Sequence, residues 1–169
     1  MRMRKPKDPI GGLSVMEAIE ACRDRQVYSG IIHSEAAVVC REVKVVLDRL
    51  GSYSRLGEDD HFDVKVILNE LLQNAIRHGN SMNASKTVSL DVLLEDSQTL
   101  EISVEDEGPG FDVERTLAQK RRRCFDVEDL CEMDECGRGL LIIETLCDTV
   151  ERNASGNRIT VRKQLHPLS

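Results

Sequence analysis

A chain of 169 residues has the length of one domain with a real core, and 30 acidic against 23 basic side chains, a net charge of −7, disfavour a nucleic-acid duplex as the main partner. With 3% aromatic residues and no Trp, that core has to be built from Val, Leu and Ile, which suits a small α/β layer structure. The first twelve residues carry charge but no apolar centre, and no apolar run approaches a membrane span, so a cytoplasmic protein without membrane contact is expected.

Residues 1–26 read as a basic arm, with Arg2, Arg4, Lys5 and Lys7, followed by a short helix opened by the capping-box pair Ser14 and Glu17. A strand is expected over 27–33. Ser34 then caps a helix over 35–50, whose Ala36, Val39, Val43, Val46, Leu47 and Leu50 hold helical spacing up to Gly51. Glu58, Asp59 and Asp60 charge and cap the start of a second helix over 60–79, favourably for its dipole. In it Val64, Ile67, Leu68, Leu71, Leu72, Ala75 and Ile76 make one buried stripe. Glu70 and Asn74 lie beside that stripe, four positions apart and so within about 40° of each other around the axis. A carboxylate there can accept a proton from a hydroxyl, and an amide oxygen can ligate a hard cation such as magnesium. Alone, the pair reads as a solvated helix face. His78, near the helix end, reads as a dipole cap.

Alternation of Val88, Leu90, Val92 and Leu94, then of Leu100, Ile102 and Val104, predicts two antiparallel strands over 86–95 and 99–105. The second runs into DEGPG, placing Asp106 at a strand end beside Gly108 and Gly110; alone this is an acidic turn. Residues 111–136 are the least regular stretch, with the basic run Lys120 to Arg123 and then FDVEDLCEMDE. In CGRGLL, Gly137 and Gly139 precede a helix over 139–147, whose Leu140, Ile143 and Cys147 share a face, and a helix entrance of this kind exposes N–H groups to phosphate. Arg138 stands between the glycines. A hairpin of strands over 148–153 and 157–164 follows, and residues 165–169 form a tail. The six cysteines include no CxxC pair and read as reduced thiols; Cys124, Cys131 and Cys136 match no zinc-ligand spacing.

The order Glu70-x-x-x-Asn74, then Asp106-x-Gly108-x-Gly110, then Gly137-x-Gly139 resembles the Bergerat-fold (GHKL) ATP-binding superfamily of the gyrase B subunit, histidine kinases and mismatch-repair MutL proteins. Within it, the short length, Glu70 and GPGFD are most similar to the bacterial anti-sigma-factor serine/threonine kinases. The resemblance spans roughly Gly30 to Lys163. It implies a two-layer α/β sandwich over 27–164, with a mixed, mostly antiparallel sheet covered on one face by helices. It also implies ATP and magnesium as cofactors, and residues 111–136 as a lid over the nucleotide. Asp106 would read adenine, since a carboxylate accepts from the exocyclic amine and repels an oxo edge. Gly108, Gly110, Gly137, Arg138, Gly139 and Leu140 would line the nucleotide, Asn74 would hold magnesium, and Glu70 would be the catalytic base. The implied partners are a STAS-domain anti-anti-sigma protein and a sigma factor, with homodimerisation open. The alternative is a non-catalytic ATP-binding or degenerate module that sequesters a regulatory partner. The catalytic half of a histidine kinase is disfavoured, because no histidine precedes Val27 and Glu70 stands where many of those enzymes place Asn.

Overall fold

The alternating apolar residues between 87 and 106 pair as a central hairpin, and the rest of the domain is built outward from it. The computed structural model describes residues 25–96, 98–110 and 135–166. In chain order these are β1 (Arg25–His33), α1 (Ala36–Leu50), α2 (Glu58–Asn74) continuing as a π-helical turn (Ala75–Gly79), β2 (Thr87–Glu95), β3 (Thr99–Asp106), α3 (Glu135–Leu146), β4 (Thr149–Arg152) and β5 (Arg158–Gln164). The expected basic arm and first helix, the Lys120 to Arg123 run and the cysteines at 22, 124 and 131 fall outside the described residues.

The sheet order is β1-β2-β3-β5-β4, and all four pairings are antiparallel. The two-layer sandwich is as expected, but the parallel component of a mixed sheet is not found among the described residues. Chain direction explains this. Two helices separate β1 from β2 and return the chain to the same end, so these neighbours must oppose. The single helix between β3 and β4 leaves those two strands pointing the same way, and β5 inserts between them.

On one face Val88, Leu90, Val92, Leu94, Leu100, Ile102 and Val161 are fully buried beneath the helices. Every stripe residue of α2 and the following turn is buried against them, as are Val39, Val43, Val46, Leu47 and Leu50 of α1. The opposite face carries a polar ladder instead. The Arg158 Nε donates to Ser103 Oγ at 2.8 Å, Ser103 and Thr160 share a hydroxyl bond of 3.0 Å, and Arg162 pairs with Glu101 at 2.6 Å. Satisfied in this way, the face needs no helix over it.

Two expected caps serve other purposes. Neither α1 nor α2 has a side-chain N-cap bond. Ser34 is buried and accepts from Asn80 Nδ2 at 2.6 Å, while the buried Asp60 accepts the backbone N–H of His166 at 2.6 Å. Both side chains satisfy distant groups, which local sequence cannot show. A third polar anchor lies at the far end of α3, where the buried Lys163 pairs with Asp63 of α2 at 2.8 Å and donates to the Leu146 carbonyl at 3.3 Å. A cation at a helix C-terminus also meets the dipole favourably. Asp63→Ala removes the countercharge and leaves Lys163 buried. We expect a cost of about 2 kcal/mol, below that of breaking a fully buried pair because Asp63 retains some exposure; urea unfolding measures it.

Candidate functional site

The site lies where the C-terminal half of α2, the end of β3 and the start of α3 meet. Asp106 ends β3 and is held by its backbone: its N–H donates to the Asn157 carbonyl and its own carbonyl accepts from Asn157 Nδ2, both at 2.9 Å. Its Oδ1 accepts the Gly108 N–H at 2.8 Å. The carboxylate lies directly on Gly79, whose missing side chain leaves the room it occupies. A Cβ on Gly108 would likewise run into the Gly79 carbonyl, so the turn after β3 and the end of the helix close on each other at two glycines. This burial pushes the Asp106 carboxyl above the usual carboxylate range, aided by Glu105 and opposed by the Gly108 N–H and Lys86.

A cavity opens beside that carboxylate, walled by Leu71, Asn74, Ala75, His78, Gly79, Val104, Asp106, Gly110, Leu140, Arg152, Gly156, Asn157 and Ile159. The cavity encloses about 90 Å³ and opens to solvent. Its wall is mostly apolar. Asn74 and His78 also border a second, polar hollow lined by Glu70, Gln73, Arg77, Arg138, Gly139 and Ile142. The two form one cleft, with Asp106 at one end and Glu70 at the other.

Glycine also sets the polar end. Gly139 is buried in α3, and a Cβ there would overlap the Glu70 carboxylate and lie 3.6 Å from Asn74 Nδ2. The backbone of α3 therefore rests on the two side chains that the spacing of α2 places together. The helix does not begin at residue 139, as the sequence suggests: residues 135–138 already belong to it. Gly137 and Gly139 are thus helical, at about 1 kcal/mol each relative to Ala. At Gly139 the close approach to Glu70 accounts for a residue that helix propensity alone disfavours.

All the expected site residues whose surroundings are described therefore border the cleft or shape it. The sequence left out Arg152, Asn157 and Ile159 of the second hairpin, because only the order β3-β5-β4 brings that hairpin to Asp106. It also left out Arg77 and Gln73, which helical spacing from Glu70 and Asn74 could have found. Among the described residues no group of three or more His, Cys, Asp or Glu is arranged to hold a metal, and no helix is long and apolar enough to cross a membrane. Cys40 and Cys147 are free thiols.

A sheet of this order with a cleft between its helix layer and the end of β3 is the arrangement of a nucleotide-binding Bergerat fold. The family model of the histidine kinase-like ATPase domain matches residues 34–163, and the chain belongs to that family. Among curated proteins it is similar to the anti-sigma F factor of Heyndrickxia coagulans, 32% identical over 104 residues, 60% of this chain and 67% of that one. The anti-sigma F factors of Bacillus thuringiensis (strain Al Hakam) and Bacillus mycoides (strain KBAB4) are each 32% identical over 89 residues, 53% of this chain. The match spans 57% of the length of each of these Bacillus relatives. The resemblance to anti-sigma-factor kinases read from the short length, Glu70 and GPGFD is thereby upheld.

Proposed function

We propose that the chain is an ATP-dependent serine/threonine protein kinase of the anti-sigma type, phosphorylating a serine of a STAS-domain anti-anti-sigma protein and regulating a sigma factor by exchange of partners. The observation that carries this reading is the seating of Gly139 on Glu70 and Asn74 at one end of a cleft whose other end holds Asp106. The residues fit an adenine nucleotide: Leu71, Val104 and Ile159 offer an apolar slot, and Asp106 has a carboxylate at its mouth to accept from an exocyclic amine. When bound, ATP with magnesium supplies the phosphoryl group and the charge neutralisation its transfer needs. Asn74 would hold the cation through its amide oxygen without cancelling its charge. Glu70 accepts the proton of the attacking hydroxyl, and Arg138 adds positive charge at the rim of the polar hollow. The sequestering alternative rests on the expected short N-terminal helix and on the expected lid over residues 111–136, most of which lie outside the described residues.

Calorimetric titration tests the nucleotide half of the proposal. ATP is expected to bind more tightly with magnesium than without, and GTP to bind far more weakly; equal affinity for GTP would remove Asp106 as the selecting group. Affinity should also depend on pH. The amine donates to the ionised carboxylate, so binding lowers the Asp106 pKa and releases a proton. ATP affinity therefore rises with pH through the raised carboxyl range of the free protein and falls below it, and Asp106→Asn should abolish that step. Transfer of labelled phosphate from ATP to a purified STAS protein tests the other half.

A further inference from the structure

We propose that Asn80 is a positioning residue for adenine selection, acting through the Asp106–Gly108 turn; the inference rests on the reading of Asp106 given above. Asn80 is 1% exposed, and three of its four amide hydrogen-bonding positions are used. Its Nδ2 donates to Ser34 Oγ at 2.6 Å and to the Thr87 carbonyl at 2.7 Å, and its Oδ1 accepts the Glu107 N–H at 2.8 Å. A carbonyl can only accept and an N–H can only donate, so these partners settle which way the amide points. Its backbone is held as firmly, since its N–H closes the π-helical turn on the Ala75 carbonyl at 2.8 Å.

Three segments meet at this one side chain: the start of α1, the start of β2 and the turn that follows β3. Glu107 is the residue after Asp106, so the bond to its N–H sets the direction in which the chain leaves the carboxylate. A second latch runs parallel to it, from the Thr87 N–H to Glu107 Oε2 at 2.6 Å. Asp106 therefore faces the cavity from a backbone fixed on one side by Asn157 and on the other by Asn80. No other residue type supplies two donors and one acceptor in this shape. Asp would set a carboxylate against the Thr87 carbonyl, and Leu would leave the Glu107 N–H without its partner.

The test compares ATP with purine riboside triphosphate, which lacks the 6-amino group, by magnesium-containing calorimetry on the full chain, together with amide exchange at Glu107 followed by NMR. Wild-type protein should prefer ATP; if it does not, the reading of Asp106 fails, whatever the exchange data say of the latch. In Asn80→Ala the Glu107 amide should exchange faster, and ATP affinity should fall about tenfold with little change for the analogue, as for loss of one charge-assisted bond. A merely structural role would lower both affinities together, and an unchanged ratio of the two in folded Asn80→Ala overturns the proposal. Ser34→Ala, which deletes only the far anchor, decides the matter if Asn80→Ala does not fold. A smaller shift of the same ratio with faster Glu107 exchange supports the proposal, and a wild-type ratio overturns it.

Discussion

Glu70→Ala is expected to lower phosphoryl transfer by roughly a hundred- to ten-thousand-fold, the contribution of a positioned general base, while ATP affinity stays at the wild-type level or rises. Glu70 lies in the polar hollow beside Arg77, Arg138 and Gly139, away from the apolar slot and from Asp106. Its carboxylate is like-charged with a polyphosphate, so removing it takes away repulsion rather than a ligand. Glu70→Gln sharpens the test by keeping shape and hydrogen bonding while deleting the basic oxygen. Single-turnover transfer measured beside calorimetry separates the two quantities. If Glu70→Gln lost binding and transfer in equal measure, Glu70 would be holding the nucleotide and its cation, and the base would have to be sought elsewhere in the hollow.

The parts of this molecule legible in its sequence are those whose cause is local and periodic. The α2 stripe from Val64 to Ile76 and the alternation in β2 and β3 each follow from one face meeting the core, and each is buried as its period requires. Glu70 and Asn74 share a border of α2 for the same reason. What could not be read depends on residues far apart in the chain. Ser34 has the look of a helix cap, yet its hydroxyl serves Asn80, 46 positions on; Asp60 has the same look and serves the backbone of His166, 106 positions on. The π-helical turn is also invisible to a pattern of period 3.6, although it widens the helix where Gly79 meets Asp106. The sequence suggests Gly137 and Gly139 as the entrance to a helix, whereas both lie within α3 and Gly139 packs against Glu70. The site's two ends were thus visible as motifs, but not the second hairpin or the Asn80 latch that aim one of them.

Two glycine-to-alanine changes should separate stability from activity in opposite directions. At Gly110 φ is +81°, and a Cβ would fall on the backbone carbonyl of Ser155 in the β4–β5 turn. No rotamer can relieve a clash with backbone, so left-handed strain and displacement of the hairpin add. Gly110→Ala should cost about 3 kcal/mol, a fall in Tm on the order of 10 °C, and weaken ATP binding as Asn157 shifts away from Asp106. At Gly139 the nearest obstacle is the far end of the Glu70 side chain, which can swing aside. Alanine also favours the helix by up to about 1 kcal/mol, so Gly139→Ala should be as stable as the wild type or slightly more so. It should nonetheless transfer phosphate far more slowly, because the group that yields is the proposed base. A Gly139→Ala protein with full activity and unchanged Tm would mean that Glu70 works from a position other than the one it takes beneath α3.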